Sequence, residues 1–327
     1  MKLKNNGKLN FIIDLFLDLD NYMSGGLIAL HRLAYELANR GHNVYIFCKP
    51  HYPHDNITQI RSKINSIKGH KYTANFETFS FILNNTISIY PEHSINNKFN
   101  TTHNVRWIMY HTTPKDEKNF KEGDYIFNYG NFYTYTNRED GKLRVLDYNL
   151  DKFFIEDNIK RKGYCFINGK QTPKNYKEIL SKFTYTDITE IKHDTNLNTL
   201  RKEFNKYEYF LTFDQKTYLT TAASLCGCKS IVLDPFSKNK NYISAVNDGI
   251  TNNAYTDSDM FDTPLTPIEY KLENPEHMFG LAYGIEDLKW AEDTIHLVRD
   301  HIKNLEIMNN QKIDRFVKFW ENKVNKK

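Results

Sequence analysis

The sequence predicts an α/β protein made of two Rossmann-like domains. Length is the first observation: 327 residues exceed what one ordinary core takes, and they suit two domains of common size. The other two are stretches, one near the N-terminus and one past the middle, that each read as strand, turn, helix and second strand. The later one, YEYFLTFDQKTYLTTAASLCGCKSIVLD from Tyr207 to Asp234, is the denser. Its aromatic and apolar opening, Tyr207 to Phe213, suits a buried strand. Thr217 to Leu225 suits a short helix with Leu219, Ala222, Ala223 and Leu225 on its packing face and Gly227 as its stop, and Ser230 to Leu233 suits the next strand. Ligands of such units sit at the carboxyl ends of the strands, where Asp214, Thr217, Thr220 and Thr221 fall. A phosphate would find free N–H groups and the positive end of the dipole in that helix's first turn. Asp214 and the threonines are equally open to the plainer reading, in which they start and cap the helix.

The first stretch is NYMSGGLIALHRLAYELANRGHNVYIFCKP. Leu9 to Leu17 supplies a strand before it, and Ser24 can cap a helix from about Gly26 to Arg40 with Leu27, Leu30, Ala34, Leu37 and Ala38 inward. Val44 to Cys48 is then a parallel strand. Gly25 and Gly26 either let a substrate approach the helix N-terminus or only form the turn. They do not complete the G-x-G-x-x-G of a dinucleotide site.

Bulk properties narrow the partners. With 44 Lys and Arg against 40 Asp and Glu the net charge is +4 and the signs are mixed, so no nucleic-acid partner is expected. Cys48, Cys165, Cys226 and Cys228 lack zinc spacing and suit a reducing, cytoplasmic compartment. Aspartates interrupt every apolar run of MKLKNNGKLNFIIDLFLDLD, so neither a signal peptide nor a membrane span is expected there.

Further along, Tyr52 to Tyr72 reads as loop and helix, and Thr86 to Tyr90 as a strand ending in Tyr90-Pro91-Glu92. Glu92 at that carboxyl end can act as a base or accept a hydroxyl, and Arg106 can pair with a phosphate or carboxylate; alternatively the two pair with each other. His111, about one turn beyond Trp107, is either the second candidate base or a packed or solvated side chain. Asp124 to Tyr135 and Arg144 to Asp147 read as strands, and Asp151 to Lys162 as the crossing between domains. A new sheet begins in Gly163 to Lys170. Lys170 and Lys174 there either meet a diphosphate as point charges or are solvated. Helices at 175–183 and 197–205 flank a strand at 187–191. Leu288, Ala291, Ile295, Val298, Ile302 and Leu305 repeat at helical spacing. A last helix from Ile313 carries Phe316, Val317, Trp320 and Val324 on one side; it can lie on an anionic membrane, but its length and modest charge favour core packing.

The phrase "L A. E L A. R G H. V" of the first stretch, the strand–acid–helix–Cys-Gly order of the later one, and Gly169-Lys170 between them resemble glycosyltransferases of the GT-B fold. ISIYPEHSINNKFNTTHNVRWIMYHTTP, through Glu92, Arg106 and Trp107, is similar to glycosyltransferases of bacterial surface-polysaccharide clusters and large DNA viruses, a likeness that implies a helix opened by Val105-Arg106-Trp107. In the large retaining families the donor segment carries two glutamates; aligned on Cys226 and Gly227, the first falls on Asp214 and the second on Ala222. The Gly-Asn-Pro of the related loop is here Asn96-Asn97-Lys98. The resemblance implies two Rossmann-like domains facing across a cleft. An acceptor domain, 1–150, would use Ser24, Gly25, Gly26 and Arg106. A nucleotide-sugar domain, 151–305, would use Lys170, Lys174, Asp214, Thr217, Thr220 and Thr221. A terminal helix, 306–327, would cross back onto the first domain. Catalytic roles would fall to Glu92, Asp214 and His111. The implied reaction moves a sugar from a nucleotide-diphosphate sugar to a glycan or lipid-linked acceptor with no cofactor. Asp18-Leu19-Asp20 and Asp257-Ser258-Asp259 look like the D-x-D of the other glycosyltransferase fold, but no metal is expected. Two other classes share these features: a sugar-nucleotide epimerase of the same architecture, and, because of Ala222, a non-catalytic carbohydrate- or nucleotide-binding protein.

Overall fold

A computed structural model of the protein describes residues 8–15, 25–48, 71–72, 86–94, 97–110, 112–130, 134, 136–145, 147–148, 150–169, 171–183, 187–192, 197–214, 217–233, 275–284 and 287–324. The chain divides into two compact units, Met1–Asp147 with Leu305–Lys327, and Tyr148–Asn304. In chain order the elements of the first unit are β1 (Asn10–Leu15), α1 (Gly25–Asn39), β2 (Asn43–Cys48), β3 (Lys71–Tyr72), β4 (Thr86–Pro91), β5 (His103–Ile108), α2 (Pro114–Glu117), β6 (Tyr125–Asn128) and β7 (Gly141–Lys142). The second unit holds β8 (Tyr164–Phe166), α3 (Tyr176–Phe183), β9 (Ile188–Glu190), α4 (Leu197–Lys206), β10 (Tyr209–Thr212), α5 (Tyr218–Leu225), β11 (Lys229–Val232), β12 (Leu281–Tyr283) and α6 (Leu288–Thr294). A long helix, α7 (Val298–Val324), starts in the second unit, and its residues from Leu305 on belong to the first.

The first sheet runs β3-β2-β1-β4-β5-β6-β7 with every pair parallel. Its register places Ile13 beside Ile89, Ile89 beside Val105, and Val105 beside Tyr125. Strand side chains alternate between faces, so Phe11, Ile13, Ile87, Ile89, Val105, Trp107 and Phe127 share one face. They form a single core with Leu30, Leu33 and Leu37 of α1 and with Phe316, Val317, Trp320 and Val324 of α7. The apolar side of the terminal helix is thus spent on this core. Trp320, with none of its surface exposed, sits edge-on to Tyr125 at 5.0 Å between ring centroids.

The opposite face of that sheet combines an apolar cluster of Ile12, Tyr90 and Phe99 with internally bonded polar groups. Ser88 and Thr101 share a hydroxyl hydrogen bond of 2.6 Å, Thr101 donates to Asn104 at 2.9 Å, and the Tyr90 hydroxyl donates to Asn97 at 2.7 Å. These bonds fasten the loop after β4 onto the sheet. Asn97, which falls on the asparagine of the related Gly-Asn-Pro, is one of its fixed points.

In the second unit the order is β12-β11-β10-β8-β9, again all parallel. β10, α5 and β11 form the βαβ unit read from the sequence, with Tyr209 beside Lys229 and Leu211 beside Ile231.

Three expectations fail. Val105-Arg106-Trp107 lies inside strand β5, not at the head of a helix: Val105 and Trp107 enter the core shared with α1 and α7, while Arg106 between them faces the other side, a period of two rather than 3.6. Arg144 to Val145 is not strand; the short pairing falls at Gly141–Lys142 instead. No helix begins at Ile313, because α7 runs unbroken from Val298, a span with neither Gly nor Pro to stop it.

Candidate functional site

In an open parallel sheet a crevice forms outside the carboxyl ends of the strands where the strand order reverses. In the second unit that point lies between β8 and β10, since the chain passes from β8 to β9 on one side and resumes with β10 on the other. The residues leaving these two strands meet. Gln171 donates its backbone N–H to Asp214 Oδ1 at 2.6 Å. The carboxylate lies so close over Gly169 that a Cβ on that residue would collide with Oδ2. The Gly169 N–H donates to Thr172 Oγ1 at 2.9 Å, and Asp214 donates its own N–H to Thr212 Oγ1 at 3.0 Å. Gly169 is therefore required for space, and Asp214 binds a loop 43 residues away in sequence.

Helix capping falls to another residue. Thr217 is the N-cap of α5, with φ −109° and ψ 138°, and its Oγ1 accepts the Leu219 N–H at 3.3 Å. Thr220 and Thr221 do not reach the crevice: their hydroxyls donate to the carbonyls of Thr217, at 2.8 Å, and Glu276, at 3.2 Å, and the residues are 1% and 3% exposed. Donor contact by these two is thereby corrected to packing, because both hydroxyls are buried and already bonded within the fold. Lys174 is exposed in the turn before α3. Lys170 lies outside the described residues.

The first sheet reverses between β1 and β4. Gly25 and Gly26 are the first residues of α1, which follows β1; Ser24 and His111 lie outside the described residues. Glu92 follows β4, and its side chain is 14% exposed. Its Oε2 accepts the Met109 N–H at 3.1 Å, and its Oε1 lies 3.6 Å from Nδ1 of His93. That carboxylate, by hydrogen bond and by charge, holds the His93 pKa above its ordinary value against the opposing effect of burial. Beside it is a residue that the sequence reading missed. Asp14, near the end of β1 and 1% exposed, accepts from Ser94 Oγ at 2.7 Å and pairs with Lys98 Nζ at 2.7 Å. Its signal was a carboxylate inside the otherwise apolar strand NFIIDL.

Arg106 is not an acceptor ligand, nor does it pair with Glu92. It is fully buried, and Nε donates to Asp124 Oδ2 at 2.8 Å, one terminal nitrogen to the Ser94 carbonyl at 2.8 Å and the other to the Asn119 carbonyl at 3.0 Å. The guanidinium stacks over the rings of Tyr90 and Phe120, at 4.8 and 5.1 Å. A shallow cavity of about 480 Å³ lined by Glu122, Asp124, Arg138, Glu139 and Asp140 lies at the amino ends of β6 and β7, away from the ligand-binding ends of the strands. Among the described residues no group of three or more His, Cys, Asp or Glu could hold a metal ion, and no helix is long and apolar enough to cross a membrane. The pairs Asp18 with Asp20 and Asp257 with Asp259 lie outside those residues.

A solved structure shares this fold. A glycosyltransferase from Rickettsia africae ESF-5 superposes with a TM-score of 0.51 at 12% identity, over 98% of this chain and 99% of that one. The chain has the GT-B fold. Two structures overlap more loosely. The calicheamicin glycosyltransferase CalG4 gives a TM-score of 0.42 at 9% identity over 98% of this chain and 99% of its own. The UDP-GlcNAc 2-epimerase of Methanocaldococcus jannaschii gives 0.35 at 12% identity over 75% and 93%. No protein-family model and no curated protein sequence matches this GT-B chain.

Proposed function

We propose that this GT-B protein is a glycosyltransferase that moves a sugar from a nucleotide-diphosphate sugar to a glycan or lipid-linked acceptor without a metal, in the cytoplasm. The observation that carries the reading is the convergence of Asp214 and the Gly169–Thr172 loop at the reversal of the second sheet, with α5 beginning just beyond. In this reading the diphosphate lies against that loop and the first turn of α5, where backbone N–H groups and the helix dipole favour an anion. Lys170 and Lys174 add positive charge as the leaving diphosphate develops its own, the role that fixed donors play best because they need no reorganisation. Glu92, at the carboxyl end of β4, takes the acceptor's proton.

The decisive experiment is a thermal-shift screen of nucleotide diphosphates and their sugars, followed by product analysis with and without glycan acceptors. A transferase releases nucleotide diphosphate only when an acceptor is present. Consumption of the nucleotide sugar alone would make the protein an epimerase. Binding without turnover would make it a lectin-like or nucleotide-binding protein. Lys170→Ala should weaken a nucleotide diphosphate by roughly 1.5–3 kcal/mol, about one to two decades, while leaving the bare nucleoside unaffected.

A further inference from the structure

Asp214 occupies the acidic position that the donor site borders, yet the structure gives its carboxylate a different occupation. Oδ1 accepts the Gln171 N–H at 2.6 Å, and Oδ2 fills the space over Gly169 that any side chain at that position would need. The loop it holds is also closed on itself, with Gly169 N–H donating to Thr172 Oγ1 and Thr172 N–H donating back to the Gly169 carbonyl at 3.3 Å. From the other side, Asp214 is itself set by its N–H bond to Thr212 Oγ1, one residue beyond the register pair Leu211 and Phe166 that joins β10 to β8. A continuous series of bonds thus runs from the end of β10 through Asp214 into the loop that leaves β8.

We propose that Asp214 is a positioning residue: its carboxylate latches Gly169 and Gln171, at the carboxyl end of β8, in the placement that receives the diphosphate, and the glycine at 169 exists to admit it. The proposal deepens the donor-site reading above and rests on it for the ligand. It differs in what the acidic group does. A carboxylate beside a bound diphosphate repels it, so a group kept there for its acceptor oxygen should tolerate loss of its charge. A group that grips sugar hydroxyls through charge-assisted bonds should not.

The test compares Asp214→Ala, Asp214→Asn, Gly169→Ala and the double Asp214→Ala/Gly169→Ala in the full chain. Hydrogen exchange at the Gln171 amide, read without ligand, reports the latch directly. Losing a hydrogen bond to a charged acceptor should speed that exchange by about tenfold or more in Asp214→Ala and in Gly169→Ala. The double variant should be no faster than the quicker single one, because both remove the same contact. Asp214→Asn keeps an acceptor oxygen and should exchange within about threefold of wild type. Calorimetry with uridine diphosphate and guanosine diphosphate, set against uridine and guanosine, gives the functional arm. Asp214→Ala should lose about tenfold or more in diphosphate affinity with the nucleoside unchanged, a selectivity that general destabilisation does not produce, while Asp214→Asn binds the diphosphate as well as wild type or tighter.

Unaltered Gln171 exchange in Asp214→Ala would overturn the latch. So would loss of diphosphate binding in Asp214→Asn with exchange intact, since that outcome makes the charge itself the ligand contact. If neither diphosphate binds the wild type, the donor-site reading fails, and the exchange data still decide whether Asp214 holds the loop.

Discussion

Arg106 tests the reasoning about burial most sharply, because its sequence context suggested a ligand and its structure assigns it to the fold. Arg106→Met removes a cation with 0% side-chain exposure whose partner, Asp124, is also at 0%. What remains is a carboxylate that keeps the Lys121 N–H at 3.0 Å but has lost its counter-charge, and two carbonyls, of Ser94 and Asn119, that have lost their donor. Breaking one side of a buried pair costs about 3–5 kcal/mol. In a domain of this size each kcal/mol moves the midpoint about 2–4 °C, so the melting temperature should fall by roughly 6–20 °C. The double variant Arg106→Met/Asp124→Leu leaves no stranded charge and should recover a good part of the loss, as apolar replacements of buried pairs do. Differential scanning calorimetry on the two variants, with sugar transfer measured well below both midpoints, is the assay. If Arg106→Met melts within about 2 °C of wild type while the KM for acceptor rises steeply, Arg106 binds substrate and the burial argument is wrong.

Trp320→Ala should cost about 3–5 kcal/mol in urea unfolding, since it empties the centre of the first unit's core, whereas Trp290→Ala, at an exposed position, should cost far less. His93 gives a pH signature. Its folded pKa is raised above the ordinary 6.5 chiefly by the hydrogen bond to Glu92, so its stabilising contribution is complete below pH 6.5 and is lost as pH rises through the folded value. Melting temperatures of Glu92→Gln followed across that window should lack this decline; an identical decline in the variant would assign it to another group. Transfer activity should persist in EDTA, and restoration of lost activity by manganese, with Asp18 or Asp20 required, would relocate the diphosphate to a metal site.

Much of this architecture is legible in the residues themselves. The apolar runs of β1, β2, β4 and β10, the inward leucines of α1 and the strand–helix–strand order from Tyr207 to Asp234 are local patterns, and local patterns report burial and period without knowledge of partners. The same patterning marked Phe316, Val317, Trp320 and Val324 as one buried side of a helix. What period could not report was which distant groups the polar residues would meet. Val105-Arg106-Trp107 carries too few alternations to separate strand from helix, and only its place between β4 and β6 in the sheet made it a strand. Arg106 and Glu92, close in sequence and opposite in charge, looked like partners; the register instead sends Arg106 to Asp124 and turns Glu92 toward Met109 and His93. Asp14 was hidden because a carboxylate in an apolar strand has no meaning until Ser94 and Lys98 are brought to it from the loop after β4. Asp214 was visible as an acidic residue at a strand end, and its sequence neighbours made it a helix cap or a sugar ligand. Its hydrogen bond to Gln171 exists because β8 and β10 are adjacent strands, so their carboxyl-terminal loops emerge side by side; strand order is a property of the folded sheet, and chain-local chemistry does not encode it.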